Sequence, residues 1–125
     1  MAVMFKSEFL TPVNVLMILG TIVLLSLGQV LFKSASTQLV VQQPMSWLSL
    51  PLLGALVIYA LATLLWLLVL SRVPLSFAFP FYGLAFLLVP VLAAVVLGEV
   101  LRWQVLVGGA VILCGIAITA WGVRT

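Results

Sequence analysis

Four apolar runs, each about as long as a bilayer is thick, constrain this chain more than any other feature. They cover about 13–32, 48–70, 75–97 and 103–123, and charged residues stand between them. Lys33 closes the first run, Arg72 follows the second, Glu99 and Arg102 separate the last two, and Arg124 closes the fourth. About 20 apolar residues cross a hydrocarbon core of about 30 Å. Backbone polar groups inside lipid must be paired within the segment, so each run is predicted to be a transmembrane helix. A β-barrel would alternate at period two, and Leu64-Leu65-Trp66-Leu67-Leu68-Val69-Leu70 does not alternate. The expected fold is an all-α membrane protein, a bundle of four transmembrane helices forming one domain over residues 1–125. Composition agrees: 66% of the residues are hydrophobic and 6% charged, where a soluble domain carries about 25% charged residues.

The same scarcity excludes several functions. Five basic and two acidic residues give a net charge of +3, scattered rather than striped, so no nucleic-acid partner is expected. Histidine is absent, and no acid pair, nucleophile–base set or metal cluster can be assembled at depth, so neither enzyme chemistry nor a cofactor is expected. Cys114 stands alone in an apolar run and reads as a small buried hydrophobe. The first apolar run, from Leu10 to Phe32, exceeds the ~7–15 residues of a signal-peptide core, and it reads as a retained helix.

An even number of spans puts both termini on one side of the membrane, together with Arg72. That side carries Lys6, Arg72 and Arg124; the other carries Lys33 and Arg102. Three against two favours cytoplasmic termini. The near balance leaves room for antiparallel insertion of identical chains.

Polar residues within the spans mark candidate functional positions. Ser26, Gln29 and Lys33 follow i, i+3, i+7 spacing along the first helix, and Asn14, Thr21 and Gly28 form a second, heptad-spaced row. Polar groups at depth face a bundle interior or a wet cavity. Lys33 can also reach the headgroups from a helix end, and Gln29 can serve an interhelical hydrogen bond. In the third span, Pro80 removes a helical hydrogen bond within Phe79-Pro80-Phe81-Tyr82-Gly83. A kink there would bring Tyr82 near the freed carbonyl of Ser76, and Gly83 lets another helix come close. In the fourth span Gly108, Gly115 and Gly122 recur every seven residues, a helix–helix contact surface. Four short helices enclose little space, so this stripe is expected to be a dimer contact. Glu99 and Arg102 are spaced to pair locally; alternatively Glu99 points into a vestibule and meets a substrate amine.

Four helices, a first-span lysine, the turn Leu70-Ser71-Arg72-Val73-Pro74, the Gly98-Glu99 turn and a glycine-bearing fourth helix resemble the small multidrug resistance transporters of the drug/metabolite transporter superfamily. The resemblance covers roughly residues 16–122. Those exporters carry a mid-membrane glutamate eight residues before the lysine, where this chain has Leu25, and a third-helix tryptophan where it has Tyr82. The missing acid argues against proton-coupled export of lipophilic cations. A closer resemblance is to the two small subunits of the flippase for 4-amino-4-deoxy-L-arabinose linked to undecaprenyl phosphate. It rests on Gly28-Gln29 and Lys33, the stretch Trp66-Leu67-Leu68-Val69-Leu70, Ala78-Phe79-Pro80, and Glu99.

That resemblance implies a small-multidrug-resistance-like flippase subunit in the bacterial inner membrane, acting in lipid A modification and polymyxin resistance. Its partners would be membrane lipids, a lipid-linked sugar phosphate, and a second small subunit in a homodimer or heterodimer. Lys33 would neutralise the phosphate. Ser26, Gln29 and Tyr82 would hydrogen-bond the sugar, Glu99 would hold its amine, and Arg102 would take the phosphate at the opposite leaflet. Two other classes stay open: a small-molecule or cationic-drug exporter, and an accessory membrane subunit that does not itself transport.

Overall fold

The computed structural model describes residues 11–122. Lys6, Glu8 and Arg124, which enter the charge count across the membrane, lie outside the described residues.

Four helical spans are present. Helix α1 runs Pro12–Ser36 and α2 Leu50–Leu70. The third span, Leu75–Leu97, is made of three pieces: a short α3 at Leu75–Ala78, a 3-10 segment at Phe79–Leu84, and α4 at Ala85–Leu97. The fourth is α5, Trp103–Gly122. The described residues contain no strand. All four spans are long and apolar enough to cross a membrane.

Two boundaries differ from the sequence expectation, and capping explains both. The Thr11 and Ser49 side chains accept hydrogen bonds from the N–H groups of Asn14 and Leu52, at 3.2 and 3.3 Å. A proline follows in the first turn of each, Pro12 at the first helical position and Pro51 at the second, where the missing N–H costs nothing. Helix α2 therefore begins at Leu50 rather than 48. Helix α1 continues one turn past Lys33 to Ser36, whose hydroxyl donates to the Lys33 carbonyl at 2.6 Å. The connection to α2 is organised around Ser46, which accepts from the Val40 N–H at 2.9 Å and donates to the Gln43 carbonyl at 2.7 Å.

Helices α1 and α2 pack along most of their length. In lipid the apolar effect does not drive helices together, so close approach of small residues carries the contact. Thr21, Gly28 and Ala35 on α1, and Ala55, Ala62 and Val69 on α2, are buried at seven-residue spacing. Buried hydroxyls are satisfied within α1 itself: Thr21 donates to the Met17 carbonyl at 2.9 Å and Ser26 to the Ile22 carbonyl at 2.7 Å. Ile18, Ile22, Val69, Val73, Phe77 and Ala78 form the apolar core at the end of the bundle that holds the Arg72 turn.

The third span leans on α1, and α5 packs on the third span. Pro80 lies inside the 3-10 segment, so the expected irregularity is a tightened helix. A Cβ at Gly83 would come within 2.9 Å of both Ile112 and Ile116 side chains, so the glycine admits α5. Gly98 ends α4 in the left-handed conformation (φ 71°), which glycine adopts without steric cost. Its N–H and that of Glu99 both close onto the Ala93 carbonyl. Trp47 and Trp103 are exposed at the Lys33 end and Trp121 at the other, as expected of aromatic rings at the two membrane–water interfaces.

Candidate functional site

A groove runs between the C-terminal half of α1 and α4. At its mouth, a cavity of about 280 Å³ is lined by Lys33, Ser34, Thr37, Gln38, Leu97 and Glu99. One step deeper lies a space of about 270 Å³ between Gln29, Val30 and Lys33 on one wall and Val89, Ala93, Leu97 and Glu99 on the other. Deeper still is a cavity of about 310 Å³ lined by Gln29, Ala85, Phe86, Val89 and Pro90. Shared walls join the three into one path. Gln29 and Val89 line the two deeper spaces, and Lys33, Leu97 and Glu99 line the two outer ones.

The path holds one cation, Lys33, and one anion, Glu99, with the Gln38 amide at its mouth and the Gln29 amide deeper in. Lys33 stands four residues after Gln29 on α1, about one helical turn toward the surface. Glu99 reaches the mouth because the left-handed Gly98 folds the chain back over Ala93. Lys33 and Glu99 share the groove without forming an ion pair, and Glu99 and Arg102 form none either. Of the two readings of Glu99, the structure gives the vestibule.

Tyr59 has no place in the sequence reading, yet it fixes the deeper amide. The Gln29 side-chain N–H donates to the Tyr59 hydroxyl. The Tyr59 ring lies in the hollow left by Gly28, where a Cβ would sit 2.5 Å from ring atom Cε2. Phe32 packs against it at a tilt, with ring centroids 4.9 Å apart. Held from the α2 side, the Gln29 amide is steadied at the groove wall. The signal was available as Gly28-Gln29: a glycine beside a polar residue at depth asks which ring fills the gap.

Three expected site residues lie elsewhere. Ser26 is fully buried, with its hydroxyl committed to its own helix, so it does not reach the groove. Tyr82 packs edge-on against Trp66 at 4.6 Å and beside Phe79 at 5.2 Å and does not line the three spaces of the groove. Arg102 is exposed in the turn that carries Glu99, at the same membrane face as Lys33. Within one chain it therefore stands at the same leaflet as Lys33 and not at the opposite one. Cys114 is exposed on α5 rather than buried.

Of the glycine stripe on α5, Gly108 and Gly115 have open space where a Cβ would stand. Gly109, one residue round the helix, packs against Leu87 of α4, with a Cβ only 2.6 Å from Leu87 Cδ1. Within the chain it is Gly109 that makes the contact. The surroundings of Gly122 lie outside the described residues.

Comparison with known proteins gives two matches. The model of the EamA-like transporter family matches residues 3–121. A protein of Erwinia tasmaniensis, described as "Probable 4-amino-4-deoxy-L-arabinose-phosphoundecaprenol flippase subunit ArnF", is 40% identical over 120 residues, covering 86% of this chain and 94% of the relative. No solved structure matches.

Proposed function

We propose that this chain, which belongs to the EamA-like transporter family, is one subunit of a flippase that moves a polyprenyl-phosphate-linked amino sugar across the bacterial inner membrane. It is a multi-pass membrane transporter subunit and not an enzyme. The observation that carries the cargo reading is the convergence of Lys33, Glu99 and Gln29 on one groove.

The chemistry of such a cargo matches those groups. Its head carries a phosphate and an amine, opposite charges a short distance apart. An unpaired charge at the centre of a bilayer costs at least about 2.5–3.5 kcal/mol on the mildest scale. Lys33 pairs with the phosphate and Glu99 with the ammonium, so the head leaves water with both charges met. The Gln29 amide, steadied by Tyr59, gives the head a further hydrogen-bonding partner about one turn deeper than Lys33.

One chain presents half of a pathway. A second small subunit, identical or similar, docks along Gly108, Gly115 and Gly122. What supports this is the open space beside Gly108 and Gly115. Two packed subunits that rock against each other give alternating access to a groove near the midplane. The termini lie in the cytoplasm, so the Lys33 mouth opens to the periplasmic face.

The test is leaflet exchange of a labelled polyprenyl-phosphate amino sugar in liposomes containing the full assembly. Lys33→Ala is expected to abolish exchange while insertion and assembly persist. Arg72→Ala, at the other membrane face, should exchange normally. Full activity in Lys33→Ala would remove the phosphate contact. Drug efflux without lipid exchange would instead favour a small-molecule exporter.

A further inference from the structure

We propose that the deep part of the groove, lined by Ala85, Phe86, Val89 and Pro90, is a binding site for the prenyl chain of the lipid cargo, so that the protein holds the tail as well as the head. The inference rests on the lipid-linked reading above and adds to it a site for the chain.

Length is the first argument. From Phe86 to Leu97 the groove wall spans eleven helical steps, about 16 Å at about 1.5 Å per residue. That is close to half of a hydrocarbon core of about 30 Å. The path therefore runs from one membrane surface to the midplane, which is the depth of one leaflet. A small soluble solute has no use for such a path, whereas a lipid chain anchored at the surface occupies that depth.

Polarity is the second. Charged groups stand only in the outer part of the groove, at Lys33 and Glu99, beside the polar Ser34, Thr37 and Gln38. The deep cavity has Gln29 as its single polar wall residue, at the junction with the space above. The order of groups along the path is thus cation and anion, then amide, then hydrocarbon. A sugar phosphate esterified to a polyprenol likewise has its charged head at one end and its hydrocarbon at the other, with the phosphate next to the chain. The two portions are continuous through Gln29 and Val89, so one ligand can fill both.

Shape is the third. Ala85 and Ala93 leave recesses between the larger Phe86, Val89 and Leu97. A wall of bumps and recesses suits a methyl-branched chain better than a straight acyl chain. Pro90 leaves the α4 backbone one hydrogen bond short inside this wall, which a rigid ridge beside a ligand tolerates.

The experiment is photolabelling in membrane vesicles from cells producing the full chain with its partner. Two probes are compared: a polyprenyl monophosphate carrying a diazirine on its chain, and a phosphatidylglycerol carrying a diazirine on an acyl chain. The expected result is that polyprenyl adducts concentrate on the peptide spanning 85–90, and that the phospholipid labels it several-fold less. Ala85→Trp and, separately, Val89→Trp should each lower polyprenyl labelling several-fold. Equal labelling by both probes, or polyprenyl adducts no denser at 85–90 than on the lipid-facing Leu64, Leu67 and Leu68 of α2, overturns the site. The wild-type map decides this even if a tryptophan variant fails to fold. The probe carries no sugar and crosses no membrane, so the outcome separates from transport. Labelling without sugar-lipid exchange overturns the amino-sugar cargo and keeps the chain site; exchange without focused labelling does the reverse.

Discussion

Two rows of small residues in this molecule share a spacing and differ in fate. On α1, Asn14, Thr21, Gly28 and Ala35 repeat every seven residues, and all are buried. On α5, Gly108 and Gly115 repeat at the same interval, and each faces open space. The rows cannot be told apart by period. What separates them is the helix opposite. Helix α2 brings its own row, Ala55, Ala62 and Val69, and a tyrosine ring shaped to the Gly28 hollow. Helix α5 is instead gripped through Gly109 by Leu87, and through Ile112 and Ile116 by Gly83, so its glycine stripe is turned away. A heptad of small residues is therefore an offer of contact, and the neighbour decides whether the offer is taken within the chain.

Substitutions at the two rows can break this contrast. The largest effect is expected from Gly28→Leu. Its Cβ alone would lie 2.5 Å from the Tyr59 ring, which is also packed against Phe32. Overpacking costs about 1–3 kcal/mol and more where the neighbour cannot move. The unfolding midpoint in detergent should fall sharply, and Gln29 should lose its partner. A midpoint equal to wild type would mean that the α1–α2 seam is looser than described. A smaller loss, about 1 kcal/mol, is expected for Gly109→Ala, because the end of the flexible Leu87 side chain can give way. The smallest effect on the single chain belongs to Gly115→Leu: its unfolding midpoint should stay put, while the assembly in mild detergent shifts toward the isolated chain. A lowered midpoint together with an intact assembly would show that both rows do the same job.

Much of the fold was legible because the bilayer forbids most alternatives. Run lengths and the charges between them place all four spans, and Gly83 is rightly read as an admission point for a neighbouring helix. Gln29 and Lys33 were legible as a stripe, and Glu99 as either a local partner of Arg102 or a vestibule residue, since polar groups near lipid must have a partner or a cavity. Ser26 shares that stripe but not its exposure. A helical wheel gives direction and not cover, and at the depth of Ser26 the neighbouring helices close over it. Tyr59 was not legible, because its role depends on a hollow 31 residues away in sequence. Within one chain Arg102 does not reach the leaflet opposite Lys33, on parity: Lys33 follows one crossing and Arg102 follows three, so both emerge on the same face.

The 3-10 segment at Phe79–Leu84 acts on everything after it. An α-helix advances about 100° per residue and a 3-10 helix about 120°, since they have about 3.6 and 3.0 residues per turn. Over six residues the difference accumulates to about a third of a revolution. The segment is therefore a phase shifter. It lets Phe77 and Ala78 face the core at one end of the third span while Val89, Ala93 and Leu97 face the groove at the other. A scan of the third span would show two sinusoids of tolerance out of step, with the break at Phe79–Leu84. Straightening those residues into ordinary helix would dial the groove wall round toward lipid without changing any of its side chains.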